Sequence, residues 1–307
     1  MRILVLGGTR FIGRAVVDAL ADRHHVTVAN RGTQRLWRDD VAHTVFDREL
    51  GTSLVSVLDV RQFDAVVDVS GTEPAHISHV TRGWPADWKY LPYIFISSGG
   101  VYDRSVKPPP FSEDMPTPGA PIWGTYGVAK ADCEELLRAE FPQLTCLRPP
   151  YVYGPFNYED RERWLWARLF REKPILIPRD GSARLQFCHT ELLARVVGEV
   201  LTGEVPAGTY NIGEPTTYSI VEYLELLASV AGRQLTTQRV LDGRSAREFF
   251  PFRDADLTLV TDKLASHTRI DKPELEEGLR NTLTWCHAND PLAYVPTQSE
   301  LELFARN

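Results

Sequence analysis

The chain has 307 residues, of which 43% are apolar and 24% charged, and 34 Lys plus Arg face 41 Asp plus Glu for a formal charge of −7. Domains run ~100–200 residues, so one large or two interlocked domains are expected. The acidity weighs against broad binding to a nucleic-acid backbone, which draws its affinity from cationic side chains, and no run approaches the ~20 apolar residues that span a bilayer. The basic residues are 28 Arg and only 6 Lys. Cys133, Cys146, Cys188 and Cys286 lie far apart, without CxxC or metal-ligand spacing. That pattern excludes an obvious zinc or disulfide framework and predicts a soluble, cytoplasmic protein.

The opening MRILVLGG reads as a buried strand over 2–6 and not as a signal peptide, because glycine interrupts it before any cleavage pattern. Phe11 to Ala21 follows with helical spacing, its Ile12, Ala15, Val16, Ala19 and Leu20 on one face. Between them, Gly7-Gly8-Thr9-Arg10-Phe11-Ile12-Gly13 forms a strand–turn–helix joint whose backbone N–H groups suit a pyrophosphate. Arg10 takes the place of the middle glycine of a GxxGxxG loop.

Strands are predicted at 25–29, 43–46, 65–69 and 93–97, alternating with helical segments, which argues for a parallel sheet with crossover helices. The second strand ends Ala29-Asn30-Arg31-Gly32, with no acid to bind a ribose 2′-hydroxyl and with Arg35 nearby. Arg10, Arg31 and Arg35 therefore favour NADP(H), with NAD(H) as the other possibility. Asp47 and Arg48 end the third strand, where Asp47 is expected to accept from an adenine amino group; Ser70 and Gly71 follow the fourth and let a cofactor pass closely.

Between Asp103 and Gly124 lie six prolines, so this stretch is expected to be an irregular surface loop, a lid or a rigid connector. Tyr126 to Glu140 reads as a helix and 144–148 as a strand. Tyr126 and Lys130 stand i, i+4 on one face of that helix. A nearby ammonium favours a phenolate and draws a tyrosine pKa down from its usual ~10. Ser97 and Ser98 end the preceding strand at the carboxyl edge, where doubly wound folds place ligands.

Taken with that order along the chain, the motifs GGTRFIG, FDAVVDVSG, FISSGGVY, YGVAKADCEELL, LRPPYVYGP, DGSARLQFCH and GTYNIGEP resemble an extended short-chain dehydrogenase/reductase of the NAD(P)-dependent epimerase/dehydratase family. The resemblance covers roughly residues 1–290 and implies a Rossmann-type doubly wound α/β sheet. Residues 1–150 plus about 181–203 would bind NAD(P), and about 151–180 and 204–307 would form a smaller, interleaved substrate-binding lobe. It further implies that Ser98 is the hydroxyl residue, Tyr126 the acid/base, and Lys130 the residue that holds the nicotinamide ribose and tunes Tyr126. Gly7, Thr9, Phe11, Ile12, Gly13 and Asn30 would line the dinucleotide, with Pro149, Tyr151 and Val152 flanking the nicotinamide. GGTR with NRG also resembles an atypical branch that includes chloroplast stem-loop RNA-binding proteins.

Departures narrow the expectation. Members that dehydrate sugars at the 4,6 positions carry Asp-Glu after the strand-end Thr, where this chain has Gly99 and Gly100. The arginine that clamps a diphosphate four residues before the His of an R-D-(F/Y)-x-H run is replaced by Leu185, with Arg184 one place off. The implied activity is an NADP(H)-dependent ketoreductase or dehydrogenase acting on a sugar or sugar-nucleotide-like small molecule. Alternatives are an epimerase using the same Ser, Tyr and Lys, and a non-catalytic RNA-binding or regulatory protein.

Gly99, Trp123, Arg184 and Arg247 are the expected substrate contacts. Arg247 and Arg253, around FFPFRD, either close over substrate or belong to an aromatic packing cluster. His76 and His79 near Glu73 read as structural, with no metal site expected. His189 reads as packing, and the pairs Glu113-Asp114 and Glu134-Glu135 as a loop and a solvated helix face. Membrane and nucleic-acid partners are not expected. The helix at 126–140 is the expected face of a homodimer, as in proteins the chain resembles.

Overall fold

A parallel strand covered on both faces must be apolar on both, and the first strand is. A computed structural model describes residues 1–118, 123–270, 274–289 and 292–305. In β1 (Arg2–Leu6), Ile3 and Val5 enter one core while Leu4 and Leu6 enter another, and all four are fully buried.

The chain continues through α1 (Phe11–Ala21), β2 (His25–Asn30), β3 (Ala42–Val45), β4 (Ala65–Asp68), α2 (Pro74–Thr81) and β5 (Tyr93–Ile96). Then come α3 (Thr125–Glu140), β6 (Leu144–Arg148), β7 (Tyr151–Tyr153), α4 (Glu162–Phe170), β8 (Ile175–Pro178) and β9 (Arg184–His189). After these follow α5 (Thr190–Thr202), β10 (Thr209–Asn211), β11 (Thr217–Ser219), α6 (Ile220–Ala231) and β12 (Thr237–Val240). Three helices close the described chain: α7 (Asp262–Ala265), α8 (Leu275–Asn289) and α9 (Gln298–Phe304).

Seven strands form one sheet in the order β10-β6-β5-β4-β1-β2-β3, with every neighbouring pair parallel. Helices α1 and α5 pack together on one face, and α2 and α3 on the other. The strand order reverses between β1 and β4, the crevice where doubly wound folds bind their ligands. This is the expected Rossmann-type α/β fold.

The second lobe has its own core, built from β7, β8, β9, α4, α6 and α8 around Trp166, Phe187, Tyr223 and Phe252. The division of the chain differs from the expected one at two strands. Strand β9, expected with the large sheet, lies between β7 and β11 in a separate three-stranded sheet. Strand β10, expected in the second lobe, pairs with the outer edge of β6. An edge strand presents unpaired backbone groups, and β10 satisfies those of β6; that demand is non-local and leaves no mark on the local sequence.

The proline-rich loop is strapped down by Phe111. Phe111 is fully buried, stacks on Tyr102 with centroids 5.1 Å apart, and donates its N–H to Thr258 O. Glu113, read as part of a loop, accepts from the Asn211 N–H at 2.8 Å. Pro121, counted in that loop, lies outside the described residues. No helix among the described residues is long and apolar enough to cross a membrane.

Candidate active site

At the switch point the chain leaves β1 through Gly7 and Gly8, with φ of 108° and 90°, a left-handed region open to glycine at little cost. A Cβ on Gly13 would lie 2.6 Å from Gly8 N, so glycine there lets α1 press against the turn. No side chain caps the first turn of α1. Its leading N–H groups are thus free for an anion, and the helix dipole favours one. The turn therefore fits a dinucleotide pyrophosphate.

Gly7, Thr9, Arg10, Phe11, Ile12, Gly13, Asn30, Arg31, Arg48 and Ser70 line one pocket there. Their polar groups are not equally available. Asn30 donates to Gly7 O at 3.0 Å and accepts from Gly32 N at 2.8 Å, stitching β2 to the turn. Arg48 is buried against Asp68 at 3.1 Å. Burial pushes the Asp68 carboxyl up, but the Arg48 charge and hydrogen bonds outweigh it and hold the pKa below the usual range. Arg10 and Arg31 make no ion pair among the described residues, which leaves both cations on the pocket wall.

Three expected contacts lie elsewhere. Arg35 is exposed outside the lining, where Thr33 stands instead. The Asp47 carboxylate is engaged by the Glu49 N–H at 3.0 Å, capping a 3₁₀ turn, and Phe46 and Glu49 reach the pocket in its place. Gly71 turns its carbonyl to Lys130. His76, Thr72 and Tyr158 also line this pocket without having been expected there. His76 pairs with Glu49 at 3.0 Å and His79 contacts Arg48 O at 2.6 Å, and no metal-binding group is found among the described residues.

A second cavity continues from Phe11 and Ile12 to Ser98, Tyr126 and Lys130. Gly124 (φ 64°, ψ −148°) turns the chain into α3. A Cβ on Gly127 would overlap Gly100 O, so only glycine allows α3 to sit this close to the turn after β5. Ser98 starts that turn, its Oγ accepting from Gly100 N at 3.0 Å.

Tyr126 opens onto the cavity, 44% exposed, yet the protein around its hydroxyl raises its pKa to about 12 by desolvation. The nearby Ser98 hydroxyl and Arg161 pull the other way. The phenol is thus raised where a lowered value was expected from Lys130, because desolvation outweighs the Ser98 hydrogen bond and the Arg161 charge. Lys130 is 3% exposed and donates to Gly71 O at 2.6 Å and Ile96 O at 2.7 Å, joining the ends of β4 and β5. Burial draws its pKa down to about 8, against the opposing pull of Asp68.

Behind Ser98 lies a buried network. Glu134, expected on a solvated face, is 1% exposed and accepts from Arg148 Nε at 2.9 Å and Ser97 Oγ at 2.5 Å. Arg148 also donates to the Tyr102 hydroxyl at 3.0 Å, which donates to Asn211 at 2.6 Å. Glu134 looks polar on the helix surface; only the fold turns it inward against Arg148.

Pro149, Tyr151, Val152, Trp123 and Arg247 line the far part of the cavity, together with Arg161 and Arg253. Gly99 does not: it is buried beneath Leu259 and donates to Pro149 O, while Gly100 reaches the cavity. Arg184 faces away, bonded to Glu222 at 2.8 Å and to Thr217 O. His189 is 1% exposed and caps α5, and burial lowers its pKa to about 4. Tyr158 and Arg161 fall in irregular chain after YGP, where no periodicity could have marked them.

Residues 3–213 match the model of the NAD dependent epimerase/dehydratase family. The chain belongs to that family. A chloroplast stem-loop binding protein of 41 kDa from Arabidopsis thaliana is 30% identical, over 92% of this chain and 78% of its own length. Among solved structures, a dTDP-glucose 4,6-dehydratase from Bacillus anthracis in complex with NAD superposes with a TM-score of 0.76 at 18% identity, covering 94% of this chain and 97% of its own. A UDP-glucuronic acid 4-epimerase from Bacillus cereus, also with NAD, gives 0.75 at 19% identity, over 95% and 100%. These two share the fold. Membership of the epimerase/dehydratase family makes the chain an enzyme of the short-chain dehydrogenase/reductase type with a nicotinamide dinucleotide cofactor.

Proposed function

We propose that this family member is an NADP(H)-dependent oxidoreductase that interconverts a secondary alcohol and a ketone on a sugar or sugar-nucleotide-like substrate. One observation carries the reading: Ser98, Tyr126 and buried Lys130 meet in a cavity that shares Phe11, Ile12 and Tyr158 with the pocket of the glycine turn. Gly7, Gly8 and the open N-terminus of α1 would hold the pyrophosphate, and Arg10 and Arg31 a 2′-phosphate. The NAD-bound neighbours do not carry that last preference; it rests on this chain's two unpaired arginines.

When bound, the cofactor supplies or accepts a hydride. Ser98 hydrogen-bonds the substrate oxygen and fixes its direction. Tyr126, with a pKa near 12, is protonated at neutral pH, which is the state that gives a proton to a ketone oxygen during reduction. Lys130 would hold the ribose; its buried cation also keeps the β4 and β5 ends in register with Tyr126. Turnover of ketosugars and their nucleotides with NADPH and NADH tests the proposal. Tyr126→Phe should lower kcat by about 10²–10⁴-fold and leave dinucleotide binding intact. Undiminished cofactor oxidation by this variant would sink the mechanism.

The stem-loop binding relative favours a second reading, in which the fold binds RNA. The net charge of −7 opposes it. Tight binding of an RNA hairpin that weakens steeply with salt, in a protein showing no turnover, would favour that reading instead.

A further inference from the structure

The pocket at the glycine turn and the cavity of Tyr126 share five lining residues: Phe11, Ile12, Val69, Thr72 and Tyr158. The first four come from the start of α1 and the chain just after β4. Tyr158 reaches the passage from the segment between β7 and α4, on the side of the second lobe. Its ring meets Phe11 edge-on, with centroids 6.0 Å apart and planes at 81°. Desolvation and Glu159 raise the pKa of its hydroxyl, while Arg161 of the cavity and Arg10 of the pocket lower it. The group therefore stands within electrostatic reach of both recesses.

The segment that carries Tyr158 is an arch pinned at both feet. Phe156, with a left-handed φ of 63°, lies 3.8 Å below the Arg14 guanidinium of α1 and 4.8 Å from the Trp285 ring of α8. Asn157 donates at 3.2 Å to the buried Glu162, which also accepts from the Tyr223 hydroxyl at 3.1 Å. Glu159 and Arg161 pair with one another at 3.7 Å. Tyr158 stands among these ties, 62% exposed, and makes no hydrogen bond among the described residues. Its side chain is free to change rotamer while the backbone on either side stays in place. Exposed side chains do so within picoseconds to nanoseconds.

We propose that Tyr158 closes over the middle of the bound dinucleotide, between the glycine turn and the Tyr126 end, and slows its release. The inference rests on the reading of the two recesses as one dinucleotide site, and it goes beyond that reading by assigning control of cofactor exchange to a residue of the second lobe. A dinucleotide that spans from the turn to Tyr126 has to run past the residues the two recesses share, and Tyr158 is the one that can swing aside to admit it. Because the ring moves fast by itself, it does not hinder entry. What slows departure is the contact it makes with the cofactor once closed, so its effect falls on the dissociation rate. A reductase releases its cofactor at every turnover, which puts opening of this contact on the catalytic cycle.

Stopped-flow displacement from the full chain, followed by nicotinamide fluorescence, measures release of NADPH or, where it binds more tightly, NADH. Tyr158→Ala should speed release about three- to tenfold, the loss of one aromatic contact, with little change in the association rate. Tyr158→Phe should release at close to the wild-type rate, because the ring and not the hydroxyl does the covering. Adenosine 2′,5′-bisphosphate, which ends at the glycine turn, should bind the wild type and Tyr158→Ala equally in a calorimetric titration. Release from Tyr158→Ala at the wild-type rate would overturn the cover. So would an equal weakening of the bisphosphate, which marks a general loosening of the pocket. The dinucleotide reading is scored separately: a wild-type chain that binds neither NADPH nor NADH defeats that reading and the cover with it, whereas normal NADPH binding with unaltered release in the variant defeats the cover alone.

Discussion

The end of the cavity at the glycine turn is made largely of backbone, whereas the end beyond Tyr126 is made of side chains from distant segments. Gly7, Gly8, Gly13 and the uncapped start of α1 occupy one contiguous stretch, and their geometry follows from where a Cβ cannot fit. Trp123, Arg161 and the pair Arg247 and Arg253 come from three separate segments and meet only because the second lobe folds over the sheet. The first arrangement accepts a group of fixed shape. The second can change one arginine at a time, so substrate choice can vary without disturbing the cofactor turn.

Four changes would break or sharpen this contrast. The largest effect is expected behind the catalytic edge, where Glu134→Ala strands Arg148 in the interior. Losing one partner of a buried pair should destabilise by ~3–5 kcal/mol, read by denaturant titration; a loss below 1 kcal/mol would mean that the network bears little on the fold.

Next is Glu214 in the second lobe, 7% exposed, whose pKa burial raises from the ordinary 4.5 to about 7. A carboxyl raised on folding contributes stability below pH 4.5 that is lost as pH rises through 7, on the order of 3 kcal/mol. His189, lowered from 6.5 to about 4, acts oppositely: its contribution is present above 6.5 and lost as pH falls through 4. In the native protein the two offset each other over roughly pH 4.5–6.5. Glu214→Gln should uncover the histidine, giving stability that climbs with pH across that window. A flat profile in the variant would contradict the offset.

At the cofactor end, Gly13→Ala would force a Cβ to 2.6 Å from Gly8 N. We expect ~1–3 kcal/mol of destabilisation together with loss of NADPH binding by fluorescence titration, since the turn itself must shift. Retained affinity would show the turn to be softer than its packing implies. The smallest effect concerns cofactor choice. Arg10→Ala or Arg31→Ala should weaken NADPH about tenfold, the loss of one charge-assisted contact, and barely alter NADH, whereas Arg35→Ala should change neither. Equal weakening of both dinucleotides would refute a 2′-phosphate site.

Much of the cofactor half was legible because its signals are local. Apolar runs bounded by glycine mark strands buried on both faces, and the i, i+4 pair Tyr126 and Lys130 needs only a helix to share a face. Asp47 misled because a strand-end carboxylate has two uses, and capping the Glu49 N–H is the nearer one. Glu134 misled because a polar helix position carries no sign of the arginine it will meet.

By itself, the sequence determined the family, the doubly wound sheet and the glycine turn into α1, and it singled out Ser98, Tyr126 and Lys130 as candidates, all from residues close along the chain. Tertiary structure alone decided that β10 and not β9 joins the sheet, that Arg184 faces outward, and that Arg161, Arg247 and Arg253 converge. Backbone edges must be paired and charges must find partners wherever the chain brings them. Those are constraints between residues far apart in sequence, and only the folded chain resolves them.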